Sequence, residues 1–492
     1  MALLSRSAVA PLHRSNGPLG LTGPGLVVLL IGAFLPVMSF FIVNVTLPAI
    51  GRDLHASAAA LQLVVACYGI TNAALVVVGG RLGDGLGRRR LFVVGLTGFT
   101  VTALLSGFAP TLPALLVARA AQGVFAALLT PQVLSTITAT RQGEERARAI
   151  GFFGASAGLA AAAGQVLGGW LVEADVAGLG WRANFLVAVP VGLVALALTR
   201  RTVPETRAED RLPVDATGAT LLGGTLVVLL FPLSEGRPLH WPFWIWAVLA
   251  VVVPIGVGLG YHQTRAERLG RTPLVPPSVL ALREMRIGLA NGLAFFTSFG
   301  GFMFVFALAT QTGAGLSPLE GGLALGPFAL AFLVVSIAGP RLQRRWGPSI
   351  IARGWVLSAV GYAATAGVAA GVWPHVDPVN LAGPLVLVGL GNGLVMLPLM
   401  GVVLGQVPTH QAGLASGLLI TTQQTCLALG AATVGTLYLA LAGGSLGAGR
   451  ALEIVSLLLA VVGVLMVPVA LRLRPRRQPV VAAYREELAE AA

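Results

Sequence analysis

Gly79-Gly80-Arg81-Leu82-Gly83-Asp84-Gly85-Leu86-Gly87-Arg88-Arg89-Arg90 sets one carboxylate and four arginines in a glycine-rich break between two long apolar runs. A charge inside hydrocarbon costs about 2.5 kcal/mol or more even on permissive scales, so a cluster of this density belongs where a bilayer ends. The rest of the chain agrees. Of its 492 residues 56% are hydrophobic and only 10% charged, and the mean hydropathy of +0.85 lies far outside soluble globular composition.

A hydrocarbon core about 30 Å thick needs roughly 20 helical residues to cross it. Working outward from residues 79–90, fourteen apolar runs of that length appear, at 25–49, 58–80, 91–109, 113–138, 149–172, 183–200, 215–233, 241–261, 287–310, 319–340, 350–372, 380–404, 412–441 and 451–471. The expected fold is an all-α polytopic membrane protein. The first run is too long for a signal-peptide core and no small-residue cleavage site follows it, so it is expected to stay with the mature chain.

The formal net charge of +13 would point to nucleic acid in a soluble protein. Here every basic residue is arginine, and the arginines fall almost wholly in short loops. With both termini on the cytoplasmic side, 27 lie inside and Arg52, Arg182, Arg237 and Arg450 outside, while Arg119 falls within a span. That asymmetry favours both termini cytoplasmic in the cytoplasmic membrane, and topology accounts for the charge without a nucleic-acid partner. Cys67 and Cys426 lie far apart in apolar runs, without metal-ligand spacing, and read as small buried residues. No metal or cofactor is expected.

Transporters are often built from duplicated bundles. Gly79, Leu82 and Gly87 recur at a constant offset as Gly339, Leu342 and Gly347, and the same offset carries Ser57 to Ser317. Span 2 therefore corresponds to span 10, which makes spans 1–6 one bundle, spans 9–14 the second, and spans 7 and 8 an inserted pair, a 6+2+6 plan. The expected domains are a tail at 1–24, a bundle at 25–200, a linker with two spans at 201–286, a second bundle at 287–471 and a tail at 472–492.

These residues resemble the major facilitator superfamily. The stretch from Gly80 through Asp84 and Gly87 to Leu91 looks like its signature between spans 2 and 3. Arg119, Gln122 and Gly123, with Ala126 and Ala127, look like its span-4 motif. Gly151, Gly164, Gly168 and Gly169 match most of the span-5 motif of its antiporters, with Gln165 where the family has proline and Ala160 where it has glycine. Phe41-Ile-Val-Asn44-Val-Thr-Leu-Pro48 and the segment Trp181 to Pro190 resemble the span-1 and span-6 signatures of the fourteen-span drug:proton antiporter branch. The resemblance implies two bundles working by alternating access, with drug or metabolite cargo and protons as partners, and a chain that functions as a monomer.

The residues carry physical readings of their own. Asp84 lies just past the end of span 2, where the helix dipole disfavours a carboxylate, so it needs a neighbouring arginine or another helix's N-terminus. Gly80, Asp84, Gly87, Arg88 and Arg89 are the expected gating loop, with Asp84 as a latch. Arg119, Gln122, Gly123 and Ala126 share one helical face, and an arginine in mid-span faces a cavity or a partner. Along span 5, Gly151, Gly154, Gly158, Gly164, Gly168 and Gly169, interleaved with Ala161, Ala162 and Gln165, form the expected small-residue packing face.

Energy coupling has no obvious carrier. Where the branch commonly has an acid before its span-1 signature, this chain has Ser39, and no Asp, Glu or His lies near the middle of any run. Arg119 keeps its proton at physiological pH, so it modulates coupling and does not carry it. Glu320 belongs to the capping box Ser317-Pro318-Leu319-Glu320. Asp53, Glu173, Asp175 and Asp84, near span ends, remain as candidates.

Polar side chains on apolar spans are costly against lipid and face helices or a cavity. The expected cavity set is Asn44, Gln62, Tyr68, Asn72, Arg119, Gln122, Gln132, Gln165, Asn291, Asn392, Gln423 and Gln424. Phe295, Phe296, Phe299, Phe302, Phe304 and Phe306 crowd span 9, either as an apolar wall for cargo or facing lipid. The chain reads as a secondary transporter exporting amphipathic drugs, antibiotics or metabolites, neutral, weakly cationic or anionic. The alternatives are a uniporter or importer of a small solute, and a membrane-embedded enzyme or scaffold, for which no His, Asp or Glu lies at depth.

Overall fold

In hydrocarbon a backbone N–H or C=O finds no water, so each crossing segment must bond to itself as a helix. The computed structural model describes residues 20–56, 58–207, 215–236, 239–271, 273–404 and 412–473; the tails and Ser57 lie outside these. Among the described residues fourteen helices are long and apolar enough to cross a membrane. They are Gly23–Asp53, Leu63–Leu86, Arg88–Gly107, Leu112–Thr140, Gly143–Ala174, Gly180–Thr202, Ala216–Leu233, Phe243–Arg268, Arg283–Gly313, Pro318–Gly339, Ser349–Val372, Pro378–Met396, Leu418–Ala442 and Gly447–Leu471, spans 1 to 14. The chain is a multi-pass membrane protein, and with fourteen spans among the described residues the start of span 1 and the end of span 14 share one side, called here the terminal side.

Helix starts are set by side chains that take up orphan amides. Thr22 accepts from Gly25 N at 3.1 Å, Thr111 from Ala114 N at 3.4 Å and Asp215 from Gly218 N at 2.8 Å. The capping box of Ser317 and Glu320 is complete in both directions, as its spacing predicts.

Three expectations change. Residues 79–86 are not a break: span 2 runs helically through Leu86, and the turn is confined to Gly87, at φ +108°. The reason is packing. A Cβ at Gly79 would run into the Ala127 backbone of span 4 and one at Gly83 into the Gln132 side chain, so these glycines serve close helix approach. Asp84 therefore sits inside the last turn of span 2 and not past it. Spans 5 and 8 are also longer than their apolar runs, because polar turns extend them: Arg141 pairs with Glu145 at 2.6 Å where span 5 begins, and span 8 continues to Arg268. Finally, Cys67 is half-buried, unlike Cys426.

The duplication is visible in the packing. In the first bundle span 1 packs on 5 and 6, span 2 on 4, and span 3 on 4 and 6; in the second, span 9 packs on 13 and 14, span 10 on 12, and span 11 on 12 and 14. The two sets match pair for pair. The bundles meet along spans 5 and 10 and spans 2 and 13, again equivalent pairs. The inserted spans 7 and 8 pack on each other, and span 7 also lies against spans 2 and 13. All six span-9 phenylalanines are buried, which removes the lipid-facing alternative.

Candidate functional site

Arg119 is fully buried. Its Nη1 donates to Gln122 Oε1 at 2.6 Å, one turn along the same face, and to the Ser39 hydroxyl of span 1 at 3.0 Å. Its Nε donates to the Val64 carbonyl of span 2 at 3.2 Å and Nη2 to the Ser39 carbonyl at 3.4 Å. The Tyr68 ring lies 4.3 Å from the guanidinium carbon and the Phe185 ring of span 6 lies 5.7 Å away, contacts worth about 0.5–2 kcal/mol each where water is excluded. Tyr68 is fixed in turn, donating to the Pro36 carbonyl at 2.7 Å. One cation thus ties spans 1, 2, 4 and 6 together.

The seam between the bundles is polar and aromatic. Asn72 of span 2 donates to Gln424 of span 13 at 3.0 Å, and Gln165 of span 5 donates to the Met303 carbonyl of span 9 at 3.4 Å. The Phe41 and Phe299 rings meet edge-on at 5.8 Å, and Phe299 continues through Phe328 to Phe332. Asn44, one turn beyond Phe41, is buried with no partner on either amide atom. Gln165 Oε1 and Asn72 Oδ1 are likewise unpartnered. Gln423 is buried and Gln424 half-buried; the side chain of Gln62 lies outside those described.

The remaining members of the predicted cavity set hold single bundles together. Gln132 donates to the Gly79 carbonyl at 2.7 Å, Asn291 accepts from Trp355 Nε1 at 3.0 Å, and Asn392 accepts from Ser358 at 2.9 Å. Period alone does not separate these from seam residues, because both avoid lipid.

At the terminal side Asp84 accepts from Arg88 Nη2 at 2.8 Å and Nε at 3.1 Å across the Gly87 turn. Glu205, just beyond span 6, accepts from the backbone amide of Arg89 at 3.1 Å, and Arg88 N donates to the Thr206 carbonyl at 3.0 Å. A carboxylate at the start of span 3 suits the positive end of its dipole. A Cβ at Gly87 would meet Glu205 Oε1 at 2.7 Å, so glycine is needed both for φ and for this approach. Arg81 donates to the Pro273 carbonyl at 3.0 Å, linking the cluster to the segment after span 8. A Cβ at Gly80 would come into ordinary contact with Pro131 of span 4, at 3.5 Å.

A family model described as Major Facilitator Superfamily matches residues 29–431. The chain belongs to the Major Facilitator Superfamily. Within it, the chain is 36% identical over 410 residues to the probable actinorhodin transporter of Streptomyces coelicolor, covering 82% of this chain and 70% of that one. It is 36% identical over 417 residues to the puromycin resistance protein pur8 of Streptomyces alboniger, covering 84% and 81%. The crystal structure of the human organic anion transporter MFSD10 superposes with a TM-score of 0.65 at 16% identity, over 90% of this chain and 98% of that one, a likeness of fold alone.

For a Major Facilitator Superfamily chain, the span-5 glycines divide in an informative way. They do not form one stripe. Gly164 and Gly168 face their own bundle, at Met38 and Ile42 of span 1 and Asn184 of span 6, whereas Gly158 faces Phe332 and Gly169 faces the Pro318 backbone of span 10. Gly151 has open space around it and lines a cavity of about 300 Å³ with Glu144, Arg148, Phe152, Ser336, Ile337, Arg341 and Arg344; Gly154 is half-buried. There Arg344, the counterpart of Asp84, lies 3.6 Å from Glu144 of the other bundle. Glu144 also pairs with Arg148 one turn along span 5 at 3.5 Å; sequence reasoning missed Glu205 and the Glu144–Arg344 pair because those partners are distant in the chain and neither acid lies in a motif. Each stands in a polar stretch at a span end, the only local signal.

The four acids proposed as proton carriers are all engaged. Asp53 accepts from Trp181 Nε1 at 3.0 Å and Arg182 at 2.7 Å, Asp175 from Gly180 N at 2.7 Å, and Asp84 from Arg88. Glu173 accepts from Leu319 N at 3.4 Å, and of these bonds it alone crosses between bundles.

Proposed function

We propose that this chain is a secondary exporter of amphipathic drugs, antibiotics or metabolites in the cytoplasmic membrane, with both termini cytoplasmic, acting as a monomer by alternating access and driven by proton antiport. The observation that carries the reading is the pairing of two duplicated bundles across a seam of buried, incompletely bonded polar groups and aromatic rings. Such a seam holds together only while the bundles are closed, and parting them uncovers amides and rings suited to an amphipathic cargo. The relatives named for actinorhodin transport and puromycin resistance support export as the direction. The arginine asymmetry supports a cytoplasmic terminal side.

Glu173 is the favoured proton carrier, because its bond to span 10 breaks when the bundles part and its surroundings change with it. The Asp84–Arg88 and Arg89–Glu205 contacts are the favoured latch on the terminal side. A susceptibility screen tests the reading. A sensitive host expressing the chain gains resistance to at least one aromatic antibiotic, and the gain disappears with Arg119→Ala at equal membrane expression. Unchanged susceptibility across the panel would count against drug export.

A further inference from the structure

We infer that Arg119, Gln122 and Ser39 form a receiving site for an oxyanion on the cargo, a carboxylate or phenolate carried on an apolar aromatic frame. The inference rests on the export reading above and assigns the charge class of its cargo.

Arg119 has only neutral partners. Its side chain is 0% exposed, and its hydrogen-bond acceptors are two carbonyls, a hydroxyl and an amide oxygen, all neutral. Among the described residues no ion pair includes it; the pairs that form, such as Asp84–Arg88, Asp53–Arg182 and Glu144–Arg344, lie at span ends. Neutral partners orient a guanidinium but leave its positive potential uncancelled, and that potential is strongest where water is excluded.

The groups around the cation leave donors and no acceptor. A guanidinium only donates, so the Gln122 amide must present its oxygen to Arg119. That oxygen also accepts from Ser39 Oγ at 3.4 Å. Ser39 is used in both directions, since its hydroxyl accepts from Arg119. What remains is donors, namely Gln122 Nε2, buried and without a partner, and the fifth guanidinium N–H, which none of these four bonds uses. A fixed positive charge beside free N–H groups suits an oxyanion, offers a neutral ester hydrogen bonds but no charge to pair with, and repels an ammonium.

Position and shape agree. Tyr68, under the guanidinium, lies 6.2 Å from the Phe40 ring, and Phe40 lines a cavity with Phe304 and Ala428 of the second bundle, so the site stands one aromatic layer behind the seam that parts in alternating access. The Tyr68 and Phe185 rings flanking the guanidinium supply faces against which an aromatic frame can lie.

The test uses the purified full chain in nanodiscs and three probes sharing one ring system: 9-anthracenecarboxylate, its methyl ester and 9-(aminomethyl)anthracene, titrated by fluorescence. The carboxylate is expected to bind at least about tenfold tighter than the ester, with the amine weakest. Ser39→Asp places a carboxylate where the hydroxyl now meets Nη1, and is expected to abolish the preference for the anion and favour the amine, while Ser39→Asn keeps the original order. If Ser39→Asp does not fold, Gln122→Met serves: it should weaken the carboxylate selectively and leave the ester within about twofold, whereas a purely structural role would weaken both. Equal or tighter binding of the ester by the native chain, or an anion preference that survives folded Ser39→Asp, overturns the inference. Refusal of all three probes by a chain that confers drug resistance overturns the anion site and leaves export standing; refusal with no resistance overturns both.

Discussion

Arg119 donates to the hydroxyl of Ser39 at 3.0 Å, so the buried cation of span 4 meets span 1 through a neutral group. The same guanidinium also reaches Val64, Gln122 and the Tyr68 ring, so it links spans 1, 2 and 4.

Arg119→Lys should lower transport at least about tenfold at unchanged membrane expression. An ammonium keeps the charge but cannot present a planar fork to Val64, Ser39 and Gln122 together while stacking on Tyr68. Efflux rates normalised to protein in the membrane check this; near-native efflux by the lysine variant would show that charge alone suffices.

Asp84→Asn should slow turnover about three- to tenfold while moving the thermal midpoint little, since a partly exposed i,i+4 pair contributes only about 0.2–1 kcal/mol. Arg88→Gln should do the same, and the double variant should be no slower than either single one. Additive slowing would mean that the two residues act separately and that the pair is not a latch.

The span-5 glycines separate motion from packing. Gly169→Ala presses on the Pro318 backbone across the seam, so it should abolish efflux while each bundle stays folded; Gly164→Ala presses on Met38 and Ile42 inside one bundle and should lower the thermal midpoint instead. Parallel melting and efflux assays distinguish the two. The same loss profile in both variants would contradict the division of faces.

Burial raises the pKa of Asp215, but the Gly218 amide, His262 and Gln263 outweigh it and hold the carboxyl below its ordinary value. A carboxylate with a lowered folded pKa stabilises above its unfolded value of about 3.9, and that contribution is lost as pH falls through the folded value. Asp215→Asn should therefore lower the thermal midpoint at pH 7 and flatten its decline as pH falls below the unfolded value of about 3.9. An unchanged acid limb would show that the cluster at the start of span 7 does not contribute.

Much of the fold was legible because hydrocarbon leaves few choices: a long apolar run has to be a helix, and the number and order of spans followed from their lengths. The Ser317–Glu320 box was legible because its chemistry is local. The limits were equally physical. Residues 79–86 looked like a break because glycines and charges mark turns in water, whereas here the glycines are contact points on span 4. Asn291 and Asn392 looked like cavity residues because lipid excludes polar groups from one side of a helix without saying which other side receives them. The contacts of Glu205 with Arg89 and of Glu144 with Arg344 were invisible because these residues become neighbours only once the helices pack.

Transport in everted membrane vesicles tests the central claim most directly, using the drug to which the chain confers the greatest resistance. With an acid-inside gradient imposed, the account predicts accumulation of the drug against its own gradient, collapse of that accumulation on adding a protonophore, and its absence in vesicles carrying Arg119→Ala. A transport rate indifferent to the imposed gradient would contradict proton-driven export and leave a uniporter in its place.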